Sequence, residues 1–156
     1  MRYWLMKSEP SVFTIDDLEN APNQTVDWIP TKGIRNYQAR NFMRDDMSIG
    51  DLAFFYQSNC ERPGIVGIME VSKPAYPDQL QFIKDHKYFD PKSSPDNPRW
   101  LNVDVTFVKK VPLLELKNIR EYEELKNMKI LQKGNRLSIT PLVEYEWIFI
   151  NRIINP

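Results

Sequence analysis

The residues best suited to chemistry lie in one stretch, Asp27 to Arg44, DWIPTKGIRNYQARNFMR. It carries Lys32, Arg35, Arg40 and Arg44, and no acid follows Asp27. Guanidinium groups grip phosphate through paired donors. Trp28 and Tyr37 offer faces on which a base can stack. Asn36, Gln38 and Asn41 offer a donor and an acceptor to a base edge. The same residues would equally suit a solvated helix face, with Tyr37 and Phe42 turned into the core.

Two further stretches carry polar groups at the ends of apolar runs. In Phe55-Tyr56-Gln57-Ser58-Asn59, aromatic and amide side chains could line the mouth of a barrel, where ligands often enter; the plainer alternative is packed aromatics followed by a turn. In Trp4 to Pro10, WLMKSEP, Lys7 and Ser8 could meet a polar ligand. Glu9 there could accept from an exocyclic amine such as cytosine N4. The alternative is a strand end with exposed charges.

Other chemistries find little support. His86 is the only histidine and Cys60 the only cysteine, which leaves no zinc set. A carboxylate-only site for a hard cation stays open. A nucleophilic triad would have to use His86, inside the charged run Lys84-Asp85-His86-Lys87. Cys60 has no base near it in sequence. The five glycines stand at 33, 50, 64, 67 and 134, in no phosphate-cradling pattern. Neither a catalytic residue, a metal nor a cofactor is assigned.

These residues need a frame. Residues 2–7 read as a strand that ends before Pro10. Thr14 reads as a helix cap ahead of Asp16 and Asp17, whose charges suit a helix start. Val26 to Ile29 is a short extended piece, and a helix is expected from about Asn36. Residues 52–56, 64–71 and 100–111 read as strands, the last with alternation at Val103, Val105 and Phe107. Asp90 to Pro98, DPKSSPDNP, is an ordered loop. Residues 113–131 suit one or two short helices. Val143 to Ile154 places Trp147, Ile150 and Ile154 on one helical face. Strands and helices without βαβ regularity point to an α+β fold with a barrel-like sheet.

Composition narrows the setting. The 156 residues, 42% hydrophobic, fit one domain with a self-sufficient core. The formal net charge is zero, so any hold on nucleic acid must be local. A lone cysteine suits a reducing compartment. The apolar run after Met1 is too short for a signal peptide or a membrane span. A cytoplasmic protein is expected, or a nuclear one if the source has a nucleus.

Taken together, six motifs in order resemble the EVE domain family. They are WLMKSEP at 4–10, GIRNYQARN at 33–41, FYQS at 55–58, PGIVGIMEV at 63–71, YFDPKSSPDNPRWLNVDV at 88–105 and RLSITP at 136–141. The resemblance spans essentially the whole chain, 1–156. It implies a PUA-like fold: a mixed, strongly curved β-barrel surrounded by short helices, akin to PUA, YTH and ASCH domains. It also implies binding of nucleic acid, DNA or RNA, by capture of a modified base such as a modified cytosine. Carried onto this chain, the family's pocket falls on Trp4, Lys7, Ser8, Trp28, Arg35, Asn36, Tyr37, Arg40, Tyr56 and Ser58, with Ser138. Two departures stand out. Gln57 replaces a histidine common in relatives, and Ile29-Pro30-Thr31-Lys32 replaces a glycine after Trp28, which is expected to reshape the pocket entrance. An enzyme acting on a nucleotide or modified base, and a protein-interaction module with a vestigial pocket, are the alternatives. The latter would show an apolar lining.

Overall fold

The structure is a computed structural model describing residues 1–29 and 32–156. Six strands form one mixed sheet: β1 (Tyr3–Ser8), β2 (Thr25–Asp27), β3 (Leu52–Gln57), β4 (Gly64–Pro77), β5 (Leu101–Glu115) and β6 (Ile139–Leu142). Their order is β2-β5-β4-β3-β1-β6. Only β1 and β3 run parallel; every other pair is antiparallel. The described strands leave β2 and β6 as edges, so hydrogen bonds do not close the expected barrel. The shape comes instead from register shifts. β4 and β5 slip four times along their length, and each slip bends and twists a long ribbon.

Alternation sorts the side chains. Trp4, Met6, Ala53 and Phe55 enter one core, with Trp28, Ile34, Met43 and Val103. Leu5, Phe54 and Tyr56 enter the other, with Ile65, Ile119, Trp147 and Ile150. Successive residues of a strand face opposite sides, so β1 and β3 are apolar on both faces and lie mid-sheet.

Short helices cover both faces. α1 (Ile15–Glu19) starts on a capping box in which Thr14 and Asp17 satisfy each other's backbone amides, 2.9 and 3.1 Å. α2 (Tyr37–Asn41) is capped by Asn36, whose Oδ1 accepts from Ala39 N at 2.9 Å. It runs straight into a wider π turn, Phe42–Asp46. That change of winding explains why residues 34–44 show no clean helical stripe. α3 (Leu116–Ile119) is followed by two single 3-10 turns. α4 (Glu144–Ile154) buries Trp147, Ile150 and Ile154, as its periodicity predicts, and stacks Trp147 on Phe54 at 4.1 Å. No described helix is long and apolar enough to cross a membrane. β4 and β5 outrun their predicted lengths, and β6 escaped the sequence reading altogether. Pro141 inside it is tolerated because β6 is an edge.

Asp51 ties the start of β1 to the turn before β3. Its buried carboxylate accepts from Arg2 N, Ser48 N and Trp4 Nε1, each at 3.0 Å. Replacing Asp51 by Ala strands an indole N–H and two amides. The Asp51→Ala variant should lose about 2–4 kcal/mol of stability, since charged hydrogen bonds are worth ~1.5–3 kcal/mol and orphaned donors add to the loss. The midpoint of urea unfolding measures it.

Candidate functional site

Because β1 and β3 run parallel, their C-terminal ends lie side by side. Ser8 pairs with Gln57 in register, and Ser58 N donates to Ser8 O at 2.9 Å. Lys7 N donates to Ser138 O at 2.8 Å, just ahead of β6. Three strand ends thus deliver Lys7, Ser8, Ser58 and Ser138 to one place. The 32–36 run and Tyr88 close over them, and the resulting cavity holds about 400 Å³.

The cavity's lining divides by chemistry. Ser8 Oγ donates to Phe13 O at 2.7 Å, which leaves its lone pairs free to accept. The hydroxyls of Ser58 and Ser138 make no side-chain hydrogen bond among the described residues. Asn36 spends its carbonyl on the cap of α2 and keeps its amide donor. Ile29 and Ile34 form an apolar wall, and both are buried. Tyr88 supplies the one aromatic ring of the lining.

The cations differ in freedom. Arg35 is bound within the fold. Its Nη1 donates to Asp78 Oδ2 at 2.9 Å and to Ile34 O at 3.1 Å; its Nη2 donates to Tyr88 O at 2.7 Å. The guanidinium also lies 5.5 Å from the ring centres of both Tyr88 and Trp100. Gly33 passes beneath it. A Cβ there would stand 2.4 Å from Nη1. Lys32 faces Glu9 at 3.7 Å, a loose and partly exposed pair. Lys7 and Arg136 have no ion-pair partner among the described residues. Burial pulls the Lys7 ammonium below its ordinary value, as expected for a charge partly removed from water without compensation.

Of the residues expected at the site, Lys7, Ser8, Arg35, Asn36, Ser58 and Ser138 line this cavity. The others lie elsewhere. Trp4 is buried, gives its N–H to Asp51, and borders a different cavity of about 550 Å³ with Arg2, Phe42 and Asp46. Trp28 is wholly buried, edge-on to Phe55 at 5.4 Å, and its Nε1 finds no acceptor among the described residues. Tyr56 faces the opposite core from Phe55, and burial pushes its phenol up to about 12. Tyr37 is exposed on α2, packed on Trp100 and under Arg40. Arg40 itself donates to Asn41 Oδ1 and Arg99 O. Gln57 donates to Arg62 O and borders a different cavity with Phe13 and Phe55, so the departure at that position does not line this one. Of the Ile29–Lys32 departure, Ile29 and Lys32 line the cavity; Pro30 and Thr31 lie outside the described residues. Ile29 entered the sequence reading only through that loop departure, and Ile34, Tyr88 and Arg136 were not singled out from sequence as site residues. All three of these sit inside motifs that carry the family resemblance, which was their only signal. No described cluster of three His, Cys, Asp or Glu side chains could hold a metal.

The EVE domain family profile matches residues 2–153. The chain belongs to the EVE domain family. Human thymocyte nuclear protein 1 is 46% identical over 166 residues, covering 95% of this chain and 72% of that protein. The crystal structure of human THYN1 in complex with DNA containing 5-methylcytosine matches this EVE domain with a TM-score of 0.90 at 42% identity, over 100% of this chain and 99% of that one. A protein from Pseudomonas syringae matches with a TM-score of 0.88 at 39% identity, over 97% of this chain and 98% of that one.

Two measurements follow from the site's electrostatics and packing. Lys7 titrates lower folded than unfolded, so the unfolded chain binds more protons between the two values. Stability should therefore rise with pH as the folded value is passed, up to the unfolded 10.5. Lys7→Met should abolish that alkaline rise and raise stability at neutral pH, read from unfolding at a series of pH values. Gly33→Ala should cost about 1–3 kcal/mol, because the guanidinium must leave Asp78. In an Arg35→Ala background the same change should cost little, and a double-mutant cycle reads the coupling.

Proposed function

We propose that this protein is a reader of modified cytosine in DNA, which captures the base in the cavity between β1, β3 and the 32–36 run and makes or breaks no bond. One observation carries this. The cavity offers donors in excess of acceptors beside an apolar wall, in a chain whose fold closely matches a relative solved with DNA containing 5-methylcytosine.

The chemistry of cytosine fits that lining. Its edge presents two acceptors, O2 and N3, and one donor, the N4 amine. Lys7, Ser58, Ser138 and the Asn36 amide supply donors to the acceptors. Ser8 Oγ or Glu9 accepts from the amine. Tyr88 stacks on the base, and Ile29 and Ile34 receive a methyl on its C5. Extrusion of the base costs a few kcal/mol, recovered from stacking at ~1–3 kcal/mol and from these hydrogen bonds. Trp28 and Tyr56 act as packed supports, and Arg35 as a brace for Tyr88. The open sheet serves as the wall of a PUA-like barrel with the site at its rim. Such a protein works where DNA is: in the cytoplasm of a bacterium, or in a nucleus.

Magnitudes set the expected result. Burying one methyl is worth ~0.8 kcal/mol, so 5-methylcytosine should bind about fourfold more tightly than cytosine in the same duplex. Ile34→Ala should bring that ratio toward unity. Tyr88→Ala should weaken both duplexes by about tenfold, as loss of one stacking partner requires. Fluorescence titration with matched duplexes measures all three. Equal binding of both duplexes by the parent protein would sink the modified-base reading.

A further inference from the structure

Many of the chain's cations are already spoken for. Arg2, Arg35, Arg40, Arg44, Arg62 and Arg99 each hold an acceptor within the protein. One segment gathers several of the unpaired cations with no acid between them. Residues 126–136, KNMKILQKGNR, carry four cations and no acid in a chain of zero net charge. Lys126 is tied to Glu123 at 2.7 Å. Lys129, Lys133 and Arg136 are exposed and make no ion pair and no side-chain hydrogen bond among the described residues.

The segment is a fixed frame rather than a loose loop. Met128 and Ile130 are buried in the second core. Gln132 Nε2 donates to Met128 O at 3.2 Å, and Asn135 Nδ2 donates to Lys129 O at 2.6 Å, folding the segment back on itself. Gly134 adopts φ +80°, which closes the turn without strain. Leu137 N then bonds to Asn135 Oδ1 at 2.9 Å and leads the chain into Ser138 and β6. Arg136 lines the cavity. Arg136 thus stands at the cavity rim, and the Asn135 bond to Lys129 O holds Lys129 close behind it on an ordered backbone.

We infer that Lys129, Lys133 and Arg136 form the surface that holds the phosphodiester backbone of DNA next to the captured base. This rests on the base-reading function proposed above and adds to it the part that supplies affinity. Unpaired, exposed cations on an ordered backbone are suited to phosphates. They need surrender no internal partner, and each contact releases counterions. Residues 27–44 carry as many cations but are poorly suited, because Arg35, Arg40 and Arg44 would have to abandon acceptors they already hold.

The test is the salt dependence of binding to a short labelled duplex carrying one central 5-methylcytosine, with an unmodified duplex beside it. Each lost phosphate contact lowers the slope of log K against log salt by ~0.9. K129Q/K133Q should lower it by about 2 and R136Q by about 1, while the ratio between modified and unmodified duplexes stays at the parent value in K129Q/K133Q. K117Q, at a separate cavity with Glu115 and Arg120, should leave the slope unchanged. A K129Q/K133Q slope equal to the parent's overturns the inference. Loss of the modified-to-unmodified ratio in the parent, with the slope changes intact, removes the base reading and leaves the strip as a DNA-backbone surface.

Discussion

The Arg35 bracket is the contact on which the site depends. A single planar guanidinium joins segments that are 43 and 53 residues apart in sequence, at Asp78 and at Tyr88. Burying such a charge is unfavourable unless it is paired and hydrogen-bonded, and here it faces a buried carboxylate and places three donors on acceptors. The bracket continues inward. Gln81, fully buried, donates to Asp78 O and Trp100 O and accepts from Trp100 N and Ser93 Oγ. Trp100 Nε1 donates to Asp90 at 2.7 Å. An irregular, proline-rich segment is thereby tied to the fold by side-chain bonds in place of a ladder. Tyr88 reaches the cavity already oriented, so little entropy remains to be lost when a ligand meets it.

Gly33 belongs to the same constraint. No positive φ requires it; the close approach of the guanidinium does. The short GIR sequence thus encodes a contact rather than a turn. Nothing local in the sequence names Asp78 as the partner of Arg35, and an arginine so placed reads as a phosphate ligand until the partner is seen. Trp28 is misread for the same reason: an aromatic among cations suggests stacking, yet its ring fills the first core against Phe55. Tyr56 fails on parity. In Leu52-Ala53-Phe54-Phe55-Tyr56 both faces are apolar, so alternation gives no cue to which face meets the cavity. The elements were more legible. The Thr14 cap, the α4 stripe and the strands read at 52–56 and 64–71 carry their signals locally. β6 did not, because four residues with a proline fall below any periodic signal. The convergence of Lys7, Ser8, Ser58 and Ser138 became visible only through the parallel pairing of β1 with β3, which no local pattern encodes.

Density of charge along the chain and availability of charge in space turn out to be different quantities. Residues 27–44 are dense in cations, but folding gives most of them a partner: Arg44 takes Asp45, Arg40 takes Asn41 and the Arg99 carbonyl, and Lys32 takes Glu9. Residues 126–136 follow the acidic run Glu121 to Glu124, so their window averages toward neutral. The fold nevertheless leaves three of their cations without ion-pair partners among the described residues. In a chain of zero net charge, where no overall field draws DNA, such local imbalance is what an electrostatic contribution must rest on.

Specificity places a different demand on the cavity. One methyl in an apolar pocket is worth only ~0.8 kcal/mol, so the wall of Ile29 and Ile34 cannot by itself decide which base enters. A polar edge can, because a wrong base leaves buried donors unpaired, and that penalty is larger than a missing methyl. Base identity on this view falls to Lys7, Ser58, Ser138 and Asn36, and the modification to the isoleucines. Ile29 has φ +53°, a region that β-branched residues avoid at a cost of about 1–3 kcal/mol. The buried Trp28 beside it and the Lys32 amide, bonded to Ile29 O at 3.1 Å, hold it there. Strain tolerated at a residue that lines the cavity, rather than relaxed into an ordinary turn, fixes the position of an apolar side chain at the surface where a single methyl group would be sensed.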